Sequence, residues 1–188
     1  MRFALDTART VNPGSDVQRT RVLDLGCGDG ALTAKLAEAG LAARGVDPSR
    51  VALERGRRNH PRLELVAPAA GGRLPFADSS FDAVVSIHVL QHVPDTQTLM
   101  SEARRVLVPG GTIAIAVPWH GRLENVLIAL VSFERHYDPL EPVLRFYPGR
   151  SLRKLLRAFG FDEPRLTAAG GVPFARVTLL ARAHRGAP

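Results

Sequence analysis

A chain of 188 residues with 45% hydrophobic content can bury one sizeable core but not two ordinary ones, so a single domain over residues 1–188 is expected. One cysteine, Cys27, excludes an intrachain disulfide; no apolar run reaches the ~18 residues of a membrane span, and the opening Met1-Arg-Phe-Ala-Leu-Asp6 lacks the apolar core of a signal peptide. These features fit a cytoplasmic protein with no membrane span. A formal charge of +7 raises nucleic-acid binding, yet only Lys35 and Lys154 of the 25 basic residues are lysines, a chain-wide arginine bias and not a local stripe. The clusters Arg55, Arg57, Arg58, His60, Arg62 and Arg150, Arg153, Lys154, Arg157 have helical spacing with apolar residues between, as a solvated helix face has. No nucleic-acid partner is expected from them.

Residues 1–20 show no periodicity and hold the turn cluster Asn12-Pro-Gly-Ser-Asp16, so a mobile arm is expected there. Arg21-Val-Leu-Asp-Leu25 reads as a short buried strand leading into Gly26-Cys-Gly-Asp-Gly30, and Ala31 to Gly40 as a helix with Leu32 and Leu36 four apart. Such a junction places unpaired backbone N–H groups beside a ligand at the carboxyl end of a strand. Gly26-x-Gly28-x-x-Ala31 also fits the looser dinucleotide fingerprint, which keeps a nicotinamide oxidoreductase open. Asp24 opposes it, because a carboxylate two residues before the first glycine suits a ligand carrying positive charge better than an anionic pyrophosphate. Cys27 is read as a small loop residue. Ala42 to Asp47 is a second strand ending in an acid, and Pro48-Ser49 opens the next helix. Asp47 lies 21 residues beyond Gly26, the spacing at which a carboxylate reaches both ribose hydroxyls of an adenosine; a helix cap is the other role open to it.

Arg62 to Val66 is a third strand. Phe81 to Ile87 is a fourth, entered by Asp78-Ser-Ser80 and continued by His88-Val-Leu-Gln-His92-Val-Pro-Asp95. Pro94-Asp95 starts a helix to Leu107, and Pro109-Gly110-Gly111 turns into the strand Thr112–Val117. Residues 119–149 then interrupt the strand-helix alternation with a helical apolar run and a proline-broken stretch. An insertion after the fifth strand lies at the carboxyl edge of the sheet, so a substrate cap is expected there, with a packed edge helix as the alternative. Ser151 to Phe159 is an amphipathic helix, N-capped by Ser151 and stopped by Gly160. Phe161 to Ala168 and Phe174 to Ala183, joined by Ala169-Gly-Gly-Val-Pro173, form a hairpin.

Asp24-x-Gly26-x-Gly28-x-Gly30 resembles motif I of the class I S-adenosylmethionine-dependent methyltransferases, whose cofactor carries a sulfonium and an ammonium and no phosphate. Residues 74–93, Leu-Pro-Phe-Ala-Asp-Ser-Ser-Phe-Asp-Ala-Val-Val-Ser-x-x-Val-Leu-x-His-Val, are similar to the methyltransferase type-11 pattern, and Arg105-Val-Leu-x-Pro-Gly-Gly-Thr112 is a further landmark of that family. The resemblance covers residues 22–118. It implies a doubly wound α/β sandwich with a seven-stranded Rossmann-like sheet in the order 3-2-1-4-5-7-6, the last strand antiparallel and helices on both faces. It also implies S-adenosylmethionine bound over Asp24, Gly26, Cys27, Gly28 and Gly30, with Asp47 and Pro48 toward the ribose and Ile87 and His88 toward the methionine end. The family's Asp four residues before Leu-Pro-Phe, which accepts from the adenine amino group, is Ala70 here, so backbone carbonyls near Ala70 would accept instead.

The implied activity is methyl transfer to a small-molecule acceptor, a hydroxyl or carboxyl oxygen. No Asn-Pro-Pro-Tyr-like tetrapeptide follows the fourth strand, which argues against an amino-group methylase of DNA bases or protein glutamine, and no paired metal-ligand motif is present. A sulfonium is already an activated leaving group, so positioning and water exclusion supply much of the acceleration, and a base is needed only where the acceptor loses a proton. Four histidines lie at or after the fourth and fifth strands: His88, His92, His120 and His136. His120, beside Gly121 at the mouth of the cap, is the first candidate and His88 the second; His92 reads as structural and His136 as surface. A non-catalytic relative that keeps the fold as a binding or assembly module stays open beside the enzyme readings.

Overall fold

The computed structural model describes residues 3, 4, 6, 7, 20–119, 130, 143–162, 164–170 and 178–186. Five strands follow one another with helices between them: β1 (Arg21–Leu25), α1 (Ala31–Glu38), β2 (Ala42–Val46), α2 (Arg50–Asn59), β3 (Glu64–Val66), β4 (Phe81–Ile87), α3 (Thr96–Val106) and β5 (Leu107–Pro118). Then come α4 (Gly149–Ala158), β6 (Arg165–Ala169) and β7 (Thr178–His184). The strands form one sheet in the order β3-β2-β1-β4-β5-β7-β6, with β7 antiparallel to both neighbours and the other pairings parallel. From β1 the chain first moves outward to β2 and β3 and then returns to β4 on the other side. Strand order therefore reverses between β1 and β4, and the crevice beyond their carboxyl ends is where open α/β sheets take ligands.

The apolar pattern explains why the sheet is covered on both faces. Leu23, Leu25, Val84, Ile113 and Ile115 share one core with Met100, Ala103 and Val106 of α3 and Leu152 and Leu156 of α4. Val22, Ala83, Val85 and Ala114 point the other way and meet Leu36 of α1. Cys27 and Leu65 pack against Leu53 of α2. No described helix is long and apolar enough to cross a membrane.

Several local expectations change. Ser151 does not cap its helix: Pro148, at φ −58°, feeds the chain straight into α4, and its carbonyl takes the Leu152 N–H at 3.0 Å, so Gly149 and Arg150 are already helical. β5 begins at Leu107, opposite Phe81, and pairing with β4 resumes at Thr112, opposite Ala83. Pro109-Gly110-Gly111 is thus an excursion inside the strand, with Gly110 at φ +75° donating to the Arg185 carbonyl. The first hairpin strand starts later than expected, because Phe161 makes only an isolated bridge to Arg185 and regular pairing runs from Arg165 to Ala169; of the second, residues 174–177 and the connecting residues 171–173 lie outside the described residues. At the start of the chain, Phe3, Ala4, Asp6 and Thr7 are helical, and Ala4 and Thr7 are buried. Arg182 of β7 donates to Thr7 Oγ1 at 3.1 Å and lies 5.6 Å from the Phe3 ring, so these four residues pack onto the sheet, while the rest of the expected arm up to residue 19 lies outside the described residues.

Candidate functional site

The glycine loop is bent by two backbone bonds to one acceptor, since the N–H groups of Gly26 and Cys27 both donate to the Val46 carbonyl, at 2.8 and 3.0 Å. This turn requires a left-handed residue at Gly26, φ +83°, and a β-carbon there would overlap the Val89 side chain. At Gly28, φ +56°, a β-carbon would meet nothing within 4 Å, so the loop's outer side is open to a ligand. Asp47, just beyond β2, closes the arrangement. One carboxylate oxygen accepts from the Gly28 N–H at 2.9 Å and the other from the Ser49 N–H at 2.8 Å, while Ser49 Oγ caps α2 by accepting from Ala52. Each oxygen retains a further lone pair for a hydroxyl donor.

Asp24 lies beneath this loop, 2% exposed, accepting from Thr33 Oγ1 of α1 at 2.7 Å. Burial pushes its carboxyl up to about 6, although Thr33 pulls the other way. Cys27 sits against Leu53 and Leu65, and burial, with the charges of Asp24 and Asp47, pushes its thiol up to about 12. It stays a thiol at neutral pH and acts as a packed side chain and not as a nucleophile.

A cleft of about 660 Å³ opens beside the loop, within the range of small-molecule sites. Gly26, Asp47 and Pro48 border it on one side, Pro68, Gly71, Gly72 and Leu74 on another, and His88, Val89, His92, Asp95 and Thr98 on the third. His88 is strained at φ +56°, a conformation costing about 1–2 kcal/mol, and is held there by its N–H bond to Ala116 of β5 at 2.8 Å. Enclosure of its ring, and then the neighbouring His92, hold His88 below the ordinary histidine pKa. The wall continues through the short helical turn Leu90–His92 to Asp95, which caps α3 by accepting from Thr98 N and Oγ1 at 2.9 and 2.6 Å.

Of the expected cap, Trp119, Leu130 and residues 143–149 lie among the described residues, and the last group is tied to the cleft wall. Arg145 donates to the carbonyls of Val93 and Pro94 and to Thr96 Oγ1, the Leu144 N–H meets the Gln91 carbonyl at 2.7 Å, and the Tyr147 hydroxyl is 3.0 Å from Thr96 Oγ1. His120 and His136 lie outside the described residues. Ala70 is exposed in the turn Ala70–Gly72; Gly71 and Gly72 border the cleft beside it. Ile87 ends β4 half-buried behind His88. Thus Gly26, Asp47, Pro48 and His88 meet in one cleft, while Asp24 and Cys27 support it from beneath. Sequence reasoning gave no site role to Leu74 and Val89, although both stand in the quoted family pattern, nor to Thr98, which its three-residue step from Asp95 could have marked as a capping partner. Among the described residues no group of three His, Cys, Asp or Glu could hold a metal. The basic residues of α4 stand half-buried or exposed, opposite buried Leu152 and Leu156, and Arg57 donates to the Leu65 carbonyl.

Comparison with known proteins agrees with this geometry. A family model for a methyltransferase domain matches residues 23–115. The demethylmenaquinone methyltransferase of Tropheryma whipplei (strain Twist) is 37% identical over 102 residues, covering 54% of this chain and 43% of the relative. Methyltransferase GfsG of Streptomyces halstedii is 41% identical over 119 residues, covering 60% of this chain and 43% of its own. The chain thus spans less than half the length of these two curated relatives. A crystal structure of an S-adenosylmethionine-dependent methyltransferase from Methanosarcina mazei superposes with a TM-score of 0.71 over 95% of this chain and 98% of that one, at 20% identity, which is a likeness of fold.

Proposed function

Because the chain belongs to the class I S-adenosylmethionine-dependent methyltransferases, we propose that it transfers a methyl group from S-adenosylmethionine to an oxygen of a small-molecule acceptor, a hydroxyl or a carboxyl. The observation that carries the reading is Asp47, whose two oxygens are aimed by Gly28 and Ser49 at the lip of a cleft bordered by an open glycine loop. A dinucleotide would use Asp47 on its ribose as well, but its anionic pyrophosphate gains nothing from a second acid, Asp24, beneath the loop, whereas a cationic adenosine ligand does. The cofactor would lie against Gly26, Cys27, Gly28 and Gly30, with Asp47 accepting from the ribose, Pro48 and the backbone near Ala70 beside the base, and Ile87 and His88 at the methionine end. Asp24 stiffens the loop from below through Thr33 and contributes negative potential.

S-adenosylmethionine, when bound, supplies a methyl group on an activated sulfonium. The protein's work is then positioning, exclusion of water by the wall 88–98 and the segment 143–148 tied to it, and removal of a proton where the acceptor is a hydroxyl. His120, past β5, and His88 are the proposed bases. His88 fits that role because its lowered pKa leaves a ring nitrogen unprotonated at neutral pH. A single domain over 1–188, a cap within 119–149 and a cytoplasmic location belong to the same proposal. One relative's name, demethylmenaquinone methyltransferase, supports a small-molecule acceptor.

Calorimetric titration with S-adenosylhomocysteine and with NADH, in parallel, tests the cofactor: binding of the first alone is expected, and binding of NADH alone would return the chain to the oxidoreductases. Radiolabelled methyl transfer into fractionated metabolites then identifies the acceptor. Tight cofactor binding with no transfer to any fraction would favour a binding module.

A further inference from the structure

From Val143 to Phe161 the chain carries five cations, Arg145, Arg150, Arg153, Lys154 and Arg157, and no acidic residue. The last four lie on α4 at the steps i, i+3, i+4 and i+7, away from buried Leu152 and Leu156, and they line an open hollow of about 600 Å³. By contrast, Arg21, Arg44, Arg55 and Arg105 each face a carboxylate, and Arg57 and Arg104 donate to backbone carbonyls. Arg150, Arg153 and Lys154 make no such bond among the described residues. The segment before α4 adds apolar groups. Leu144 and Phe146 are 56% and 40% exposed, two of the four large apolar side chains so exposed among the described residues. Their neighbours turn the other way: Arg145 is anchored to the Val93 and Pro94 carbonyls and to Thr96, and Tyr147 enters the core that also takes Leu152 and Leu156. Because both segments send their inner side chains into one core, their outer side chains share one face of the molecule. The Arg145 bonds, and that of the Leu144 N–H to the Gln91 carbonyl, hold this alternation in place.

We propose that this face docks on a lipid bilayer bearing anionic headgroups, with the cations of α4 among the headgroups and Leu144 and Phe146 at the boundary of the acyl chains. The formal charge of +7 draws the whole chain toward such a surface. A bilayer interface is the partner that uses both features, since it takes cations and apolar side chains side by side. A nucleic-acid backbone would answer the cations but leave Leu144 against phosphate, and a helix face that only meets water has no use for an apolar neighbour. The inference goes beyond methyl transfer and does not depend on it, because none of these docking side chains borders the cleft.

Co-sedimentation of the full chain with vesicles tests the proposal. At low salt, partition onto phosphatidylcholine vesicles containing one quarter phosphatidylglycerol should exceed partition onto phosphatidylcholine alone by at least about tenfold, and the excess should vanish as salt is raised. The combined variant Arg150→Gln, Arg153→Gln, Lys154→Gln should weaken binding to the anionic vesicles by at least about thirtyfold. Leu144→Ser should weaken it by about threefold to tenfold. A thermal midpoint close to that of the unaltered chain shows that each variant is folded. An unaltered chain that binds neither vesicle, or both equally, overturns the proposal whatever the variants do. Full binding by the three-residue variant overturns the assignment to α4, and full binding by Leu144→Ser overturns the apolar contact. Tighter binding of duplex DNA, single-stranded RNA or polyglutamate in the same buffer, lost in the three-residue variant, overturns the bilayer as the partner.

Discussion

The two halves of the sheet are built by different means. From β1 to α2 the chain is shaped by backbone chemistry: left-handed glycines at 26, 28 and 30, two N–H groups on the Val46 carbonyl, and Asp47 bonded to two more. From β5 to β7 it is shaped by side-chain fit, with Leu152 and Leu156 of α4 and Leu179, Ala181 and Ala183 of β7 closing the core over β5. The first half has little freedom to vary because each bond depends on a specific atom in a specific residue type. The second tolerates any apolar side chain of suitable volume. The proposed cofactor contacts fall on the first half, and in the same proposal the half built from packing supports them and carries the acceptor's surroundings.

Substitutions that separate binding from stability test this contrast. The largest effect is expected from Gly26→Ala, which forces a β-carbon into Val89 at a positive φ. Stability should fall by about 3 kcal/mol and S-adenosylhomocysteine affinity by more than about a hundredfold, read by denaturant titration and calorimetry. Leu152→Ala, on the packed half, should cost about 2–5 kcal/mol in the same denaturant titration, yet leave affinity within about twofold. A large loss of affinity there would show that the halves are not separable.

Asp24 gives a pH signature confined to the first half. Its folded pKa, raised to about 6, lies above that of the unfolded chain, so the folded state holds the proton more tightly. The associated stability is fully present below the unfolded value and is lost as pH rises through about 6. Asp24→Asn keeps the acceptor for Thr33 without the charge. It should remove this slope and stabilise the protein near neutral pH by up to about 3 kcal/mol, measured as denaturation midpoints across pH. Identical slopes in the two proteins would mean that the carboxylate is not desolvated as its burial implies.

A smaller effect follows at Asp47. Asp47→Ala removes the acceptor for two N–H groups and for the proposed ribose hydroxyls, so affinity should fall at least about tenfold, with a stability loss of about 1–2 kcal/mol. Unchanged calorimetric affinity would remove the ribose role and leave Asp47 only its bonds to Gly28 and Ser49, the α2 cap itself being Ser49. The smallest change is Cys27→Ala, expected to cost no more than about 1–1.5 kcal/mol and to leave affinity unaltered, because the thiol packs on Leu53 and Leu65 and adds one weak bond, to the Gly28 carbonyl at 3.7 Å. Lost transfer in a folded, cofactor-binding Cys27→Ala protein would assign the thiol a chemical part.

By itself the sequence determined the strand-loop-helix around Gly26 to Gly30, the acid ending β2, the length of β4 and, through the family resemblance, the strand order that the observed strand pairing bears out. The first three are local, carried by residues adjacent in the chain, whereas the strand order is non-local and came only from the family resemblance. Only the tertiary structure decided the rest. Pro148 displaced Ser151 from the helix cap, and the β4–β5 register turned Pro109-Gly-Gly into an excursion within a strand. Arg182 from the far end of the chain drew Thr7 onto the sheet, and the turn after β4 set Gln91 between His88 and His92. Each of these depends on a partner brought close by folding or on the angle at which the backbone arrives, and neither is written in the spacing of the residues themselves.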